Sequence, residues 1–204
     1  MASNAEITRR TYERAAAALF SQFDPRPAAG SAHQARLLYQ YVGRPSIRCL
    51  VMGGSAAPLL HELAEQGAYA VGMDYSRAAL AHLRREAPLA PLLCADMRHL
   101  PFARSALDAI FADALLGHVE RRDFDDTVRG LRDALRPGGV LGVRLKIGSG
   151  EGLETHKSGA GKVWRGYWQP SEFIERLYAL DFDLRHEQDL LPGRQVFLIL
   201  RREY

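Results

Sequence analysis

This chain of 204 residues has few lysines, few cysteines and no long apolar run. The last two shortages argue against a membrane-spanning protein and against a disulfide-rich one. A membrane-spanning helix takes roughly 20 consecutive apolar residues, and the sequence has no run of that length. The N-terminal residues MASNAEITRR lack the apolar centre of a secretory signal. The sequence therefore predicts a cytoplasmic protein with no membrane partner.

The two cysteines, Cys49 and Cys94, both fall in strands that the pattern predicts to be buried. In a reducing compartment, isolated cysteines of this kind behave as small apolar side chains. We therefore expect neither a disulfide nor a metal site.

Positive charge is in small excess, at a net +3, and is almost entirely arginine, since the lysines are only Lys146, Lys157 and Lys162. The charge is spread along the chain, so a nucleic-acid partner is not expected. With 47% hydrophobic and 25% charged residues, the composition is that of one globular domain. We predict a single domain over residues 1–204.

Apolar periodicity divides the chain into alternating helices and strands. Residues 5–42 predict one or two helices, broken at Asp24-Pro25-Arg26-Pro27, so that residues 1–42 form a helical cap. A later helix is expected to end at Pro137-Gly138-Gly139. Strands are predicted at Ile47–Met52, Tyr69–Met73, Leu92–Cys94, Ala109–Ala112, Val140–Ile147, Phe182–Asp189 and Val196–Leu200.

This alternation predicts an α/β fold with a mostly parallel sheet that carries helices on both faces. The turn at Pro192-Gly193 joins the last two strands as a hairpin, which makes the final strand antiparallel. One long irregular segment interrupts the pattern, at residues 148–168, and is a candidate lid loop.

Doubly wound sheets bind ligands at the carboxyl ends of their strands. The small-residue turn GGSAA follows the first strand, and Asp74 follows the second strand about 20 residues later, the distance at which a carboxylate meets ribose hydroxyls. The alternative for Asp74 is an acid that stabilises a helix N-terminus. Asp96, after the third strand, could accept a hydrogen bond from an adenine amino group or could form a turn.

Four segments in this order resemble the class I S-adenosylmethionine-dependent methyltransferases, especially the small-molecule group often called type 11. They are VGMDYSRAALAHLR, CADMRHLPFARSALDAIFADALLGHV, LRDALRPGGVLGVRL and GEGLETHKSGAGKVWRGYWQPSEFIERLYALDF. The similarity runs from about residue 47 to the end of the sequence. It implies a Rossmann-like, doubly wound sheet of seven strands with the last strand antiparallel, and the cofactor S-adenosylmethionine.

The resemblance also implies which residues hold the nucleoside part of that cofactor. Asp74 would hold the ribose, with Tyr75 beside it. Asp96 and Met97 would frame the adenine ring. Ala112 would contact the cofactor through its backbone.

The first turn departs from the family pattern while keeping small residues. Gly53, Gly54 and Ser55 would approach the methionine part of the cofactor. The family usually has an acidic residue where Val51 stands, and glycines where Ser55 and Ala57 stand. Serine and alanine favour negative φ far more than glycine does, so these departures bear on cofactor affinity rather than on the fold.

The family resemblance implies in-line methyl transfer to a small-molecule acceptor. His118, just past the fourth strand, is the candidate general base; the alternative is a histidine that faces solvent or hydrogen-bonds locally. Tyr12 could cover the cofactor or pack in the core. The basic and aromatic residues of the lid suit an acidic or aromatic acceptor, or equally a solvated loop.

Other functions stay open at this point. A catalytically silent, methyltransferase-like binding protein would share these segments, and the altered glycine turn favours it. A nicotinamide-dependent oxidoreductase would share the strand, the turn and Asp74, but no Tyr-x-x-x-Lys pair occurs. The sequence leaves the acceptor and the oligomeric state undetermined.

Overall fold

Two helices precede the sheet in the computed structural model, which describes residues 2–20 and 29–203. Helix α1 spans Asn4–Phe20 and helix α2 spans Ala29–Val42. Two helices thus stand where one or two were predicted, while the break predicted at residues 24–27 lies outside the described residues. In the described part of the chain, no helix is both long and apolar enough to cross a membrane.

Seven strands form the central sheet, in the order β3-β2-β1-β4-β5-β9-β8. Strands β1 to β5 pair in parallel, and β9 is antiparallel to both of its neighbours, β5 and β8. This confirms the predicted Rossmann-like sheet with an antiparallel last strand. The strand bounds are β1 Arg48–Met52, β2 Tyr69–Asp74, β3 Leu92–Cys94, β4 Leu107–Asp113, β5 Leu135–Lys146, β6 Glu151–Thr155, β7 Lys162–Gly166, β8 Phe182–Leu191 and β9 Gln195–Arg202.

Helices cover both faces of the sheet, as predicted. On one face, Phe124, Trp168 and Phe173 form a fully buried aromatic cluster, with ring centroids 4.6 to 5.6 Å apart. On the other face, Leu38 and Leu60 pack in a second apolar cluster. The remaining helices are α3 Ala57–Glu65, α4 Arg77–Glu86, α5 Arg121–Ala134 and α6 Pro170–Tyr178.

The Pro137-Gly138-Gly139 segment does not end a helix, which corrects the prediction. Helix α5 already ends at Ala134, and β5 begins at the next residue. The glycines instead lie at a shift in the register between β4 and β5. A Cβ on Gly139 would approach the carbonyl oxygen of Arg136 to 2.8 Å, so the bend requires glycine there.

The segment at residues 148–168, predicted to be irregular, contains the antiparallel hairpin of β6 and β7. The hairpin is bound to helix α1 by two threonines. The backbone N–H of Trp164 donates to Thr8 Oγ1 at 2.8 Å, and Thr11 Oγ1 donates to the carbonyl oxygen of Lys162 at 2.6 Å. The contact with α1 supplies hydrogen-bond partners to one edge of the hairpin. No local sequence pattern predicts this contact.

The two cysteines differ in environment. Cys49 is buried in β1, as predicted, whereas Cys94 is exposed. The prediction for Cys94 was wrong because β3 lies at the edge of the sheet, where one side of the strand has no covering neighbour.

Asp108 joins three arginines at the amino end of β4. Its side chain is 2% exposed and accepts hydrogen bonds from Arg44 at 2.8 Å and Arg136 at 2.7 Å. It also accepts from the backbone N–H of Arg48 at 2.8 Å. This buried carboxylate therefore fixes the end of the sheet that lies opposite the strand ends where a ligand would bind.

Candidate functional site

A cavity of about 340 Å³ opens at the carboxyl ends of β1, β2, β4 and β5. Its floor is made by strand ends, and its cover by α1 and the hairpin. Of the residues singled out from the sequence, Ala112 does not line it, because its side chain is buried within the sheet. Those that do line it are Gly53, Gly54, Ser55, Asp74, Tyr75, Asp96, Met97 and His118.

The turn after β1 is well formed despite its missing glycines. Gly53 has φ of +102°, which only glycine adopts without strain, and its N–H donates to the carbonyl oxygen of Met73 at 2.8 Å. Ser55 lies in a 3-10 turn, and Ala57 begins α3 with φ of −50°. Because neither residue needs positive φ, serine and alanine fit the turn.

Asp74 connects the ends of β1 and β2. One carboxylate oxygen accepts the N–H of Gly54 at 2.9 Å, and the other accepts the N–H of Ser76 at 2.8 Å. Burial raises the pKa of Asp74 to about 6, against the pull of these hydrogen bonds. The backbone of Tyr75 contributes a third hydrogen bond, which leaves the carboxylate able to accept from a ribose hydroxyl as well.

The predicted adenine site contains an arginine that sequence reasoning missed. Asp96 accepts hydrogen bonds from the Arg98 backbone N–H at 2.9 Å and from its guanidinium, the shortest at 2.6 Å. Burial acts to raise the pKa of Asp96, but the bonds from Arg98 outweigh it and hold that pKa below its usual value. The motif DMR, with charges two residues apart, was the available signal.

Another carboxylate, that of Asp113, lies opposite the turn that follows β1. Val51, where the family usually has an acid, is buried in the sheet. Asp113, at the end of β4, accepts a hydrogen bond from Ser55 Oγ at 2.5 Å and pairs with Arg144 at 3.1 Å. The following residue, Ala114, has the unusual φ of +56°. Sequence reasoning missed Arg144, although a charge inside the apolar run VLGVRLK was a signal.

His118 and Tyr12 form a hydrogen-bonded pair at the cavity wall. The His118 ring lies 2.6 Å from the carbonyl oxygen of Trp164 through Nδ1, and 2.9 Å from the Tyr12 hydroxyl through Nε2. A carbonyl oxygen only accepts, so Nδ1 carries the proton and Nε2 accepts from Tyr12. Burial lowers the pKa of His118 to about 4, so the ring is neutral at physiological pH.

The wall formed by β5 and the hairpin is basic. We call Arg144, Lys146, Lys157 and Arg165 the basic wall; all four line the cavity. Burial lowers the pKa of Lys146, and the neighbouring charges of Arg165 and Lys157 lower it further. The cavity thus has carboxylates on one side and an excess of cations on the other.

Comparisons with known proteins agree with this geometry. A family described as the methyltransferase domain matches residues 50–139. The demethylmenaquinone methyltransferase of Corynebacterium urealyticum is 33% identical over 100 residues, which are 48% of this chain and 41% of that protein. The match therefore spans less than half of the length of this curated relative.

Two solved structures share the fold at low sequence identity. One is the 1,6-didemethyltoxoflavin-N1-methyltransferase of Burkholderia thailandensis, solved with 1,6-didemethyltoxoflavin and S-adenosylhomocysteine; it has a TM-score of 0.77 and 16% identity, and the match covers 100% of this chain and 92% of that chain. The other is DhpI, solved as a complex with SAH, with a TM-score of 0.75, 22% identity and 99% of each chain covered. Sheet order and structural similarity show that the chain has the fold of the class I S-adenosylmethionine-dependent methyltransferases, and residues 50–139 match the methyltransferase domain.

Proposed function

We propose that this chain binds S-adenosylmethionine in the cavity and transfers its methyl group to a small-molecule acceptor. The observation that carries the proposal is the carboxylate of Asp74, held by the N–H of Gly54 at the point where β1 and β2 end. This geometry suits a ribose, whose hydroxyl can donate to the lone pair that the backbone donors leave free. The methyltransferase relatives and the S-adenosylhomocysteine bound in a neighbouring structure support the same cofactor.

The cavity lining suits the other parts of the cofactor. Tyr75 lies beside the ribose position, and Met97 would pack on the adenine ring next to Asp96. Gly53 and Gly54 leave room for the methionine part. Backbone contact near the end of β4 would come from residues 113 and 114, since Ala112 does not line the cavity.

Asp113 replaces the acid that is absent at position 51. Its carboxylate faces the turn and is hydrogen-bonded to Ser55. An ammonium group placed there would gain a charge-assisted hydrogen bond. We therefore propose that Asp113 holds the amino group of the cofactor, which makes the altered turn compatible with binding.

S-adenosylmethionine supplies a methyl group already activated by its sulfonium, so the protein mainly has to orient the acceptor and exclude water. If the acceptor atom is a hydroxyl oxygen, it would become positive as the new bond forms, and its proton would then be strongly acidic. That proton would pass to the Tyr12 oxygen while the Tyr12 proton passes to His118 Nε2. A weak base is sufficient for this, and the neutral His118 is available to accept.

Calorimetric titration with S-adenosylmethionine and S-adenosylhomocysteine tests the proposal. We expect micromolar binding of both, and a loss of about 100-fold or more in Asp74→Ala, because the charged hydrogen-bond acceptor for the ribose is removed. Asp189→Ala is the matched control, since that exposed aspartate lies on β8, away from the cavity. No binding of either ligand, or equal affinity in Asp74→Ala, would refute the assignment.

Two further measurements separate this function from the alternatives. A catalytically silent binding protein would bind S-adenosylmethionine without ever converting it in the presence of a broad acceptor mixture. A nicotinamide oxidoreductase would bind NADH more tightly than S-adenosylhomocysteine. The unstrained turn and Asp113 remove the observation that had favoured the silent protein.

A further inference from the structure

The cavity separates charge in an unusual way. Asp74 and Asp96 lie at the ends of β2 and β3, on the side proposed for the nucleoside. The basic wall lies on the other side, on β5 and the hairpin. This second side borders the Tyr12–His118 pair, where the acceptor would lie.

Part of the basic wall is already neutralised within the protein. Arg144 pairs with Asp113 at 3.1 Å, and Arg165 lies 3.5 Å from Glu154. Among residues 2–20 and 29–203, no carboxylate lies within ion-pair distance of the ammonium groups of Lys146 and Lys157. The cavity therefore keeps positive charge that a ligand can neutralise.

Keeping these cations together costs free energy. Lys146 is half-buried, and its pKa is lowered by burial and by the like charges of Arg165 and Lys157. Burial lowers the pKa of His118 and of His156, and the charges of Arg165 and Lys146 lower both further. An anion placed among them would relieve the repulsion and gain charge-assisted hydrogen bonds.

We infer that the methyl acceptor carries an anionic group, a carboxylate or a phosphate, which is held by Lys146 and Arg165 with Lys157 at the rim. This inference rests on the proposed methyl transfer. With the anion fixed on β5 and β7, a neighbouring nucleophile of the acceptor would lie near the Tyr12 hydroxyl, which is adjacent to Arg165. The anion thus serves to orient the acceptor.

The carboxylate of the cofactor itself is the other possible source of an anion. Arg144 lies beside Ser55 and Asp113, at the proposed methionine end, and is the cation best placed for it. One cofactor carboxylate carries a single negative charge, which is less than the positive charge of Lys146, Lys157 and Arg165 together. The experiment must distinguish the two sources.

Binding of small probes to the full chain saturated with S-adenosylhomocysteine tests the inference. Benzoate and phenyl phosphate should bind at least about tenfold more tightly than their neutral counterparts benzamide and benzyl alcohol, with affinity falling as salt rises. Lys146→Gln and Arg165→Gln should each remove about tenfold of this preference. Lys162→Gln, an exposed hairpin lysine whose side chain does not line the cavity, should leave it unchanged.

A second titration compares S-adenosylhomocysteine with 5′-methylthioadenosine, which lacks the amino-acid end. If Lys146→Gln and Arg165→Gln weaken the first ligand tenfold and spare the second, these cations bind the cofactor carboxylate and the inference is overturned. Equal affinity for charged and neutral probes would also overturn it. Either result leaves the proposed function standing, provided that the unaltered chain binds S-adenosylhomocysteine. If the unaltered chain does not bind S-adenosylhomocysteine, the proposed function itself is refuted.

Discussion

Replacing Asp74 by asparagine should change how the stability of the ligand-free protein depends on pH. In the unfolded chain the carboxyl group ionises at its ordinary pKa of 3.8, whereas burial raises the folded pKa to about 6. Between these values the folded state holds more protons than the unfolded state. The stabilisation that protonation gives is therefore present at low pH and is lost as pH rises through 6.

The magnitude follows from the two pKa values. Each pKa unit corresponds to about 1.4 kcal/mol, so the shift amounts to about 3 kcal/mol in all, of which about 2 kcal/mol is lost between pH 4.5 and 7.5. Asp74→Asn has no such dependence. Asparagine also loses a hydrogen bond to the N–H of Gly54 or Ser76, but that cost is constant with pH and cancels.

Urea unfolding of both proteins at several pH values measures the effect. The pH dependence of the unaltered protein alone would mislead, because the lowered pKa of His118 acts in the opposite direction over the same range. His118 is present in both proteins, so the difference between them isolates Asp74. The stability of Asp74→Asn relative to the unaltered protein should rise by about 2 kcal/mol from pH 4.5 to 7.5.

The control is Asp189→Asn, which removes one exposed carboxylate that does not line the cavity. A difference that is constant to within about 0.5 kcal/mol, or that has the opposite sign, would refute the reasoning. Saturation with S-adenosylhomocysteine adds a second readout. Hydroxyl donors favour the ionised carboxylate, so the affinity of the unaltered protein should fall below about pH 6.

Three other substitutions test separate features. Asp108→Asn should lower the unfolding free energy at pH 7, measured by urea unfolding, by about 3 kcal/mol, because a buried carboxylate loses its ion pairs with Arg44, Arg48 and Arg136; the loss should shrink at low pH, since hydrogen bonds from Arg48 outweigh burial and hold the pKa of Asp108 below its usual value. Ala114→Gly should raise it by about 1 kcal/mol, since φ of +56° suits glycine, and an unchanged melting temperature would contradict this. Gly161→Ala has φ of +154° and would bring a Cβ within 2.5 Å of Thr11 Oγ1, so hydrogen exchange of the hairpin amides should accelerate; unchanged protection would show that the contact is not strained.

Features encoded by short sequence segments could be predicted. The inner strands β1, β4 and β5 contain continuous apolar runs, and the turn after β1 and Asp74 lie at a characteristic spacing. Because parallel strands align their carboxyl ends, the positions of these residues along the chain were enough to bring them into one cavity. The positions of Gly53 and Asp74 at the ends of strands could therefore be predicted without knowing how the helices pack on the sheet.

Features that depend on distant segments could not be predicted. His118 was a candidate because of its position after β4, but its partners Tyr12 and Trp164 lie 106 and 46 residues away. The hairpin is likewise held in place by helix α1, which lies near the start of the described chain. The pairing of Asp113 with Arg144 depends on the register between β4 and β5, which periodicity does not fix.

The contact between α1 and the hairpin also constrains the order of events when the chain is made. Thr8 and Thr11 are buried, and their partners at Trp164 and Lys162 lie 156 and 151 residues later. During synthesis, α1 emerges long before β7. Thr8 Oγ1 can donate to the carbonyl oxygen of Asn4 within the helix, and Glu13 can accept from the N–H of Arg77 on α4, but the bond from Thr11 to Lys162 forms only after β7 has left the ribosome. The cover of the cavity is therefore completed late, and a nascent chain that stops short of β7 lacks the hairpin side of that cover.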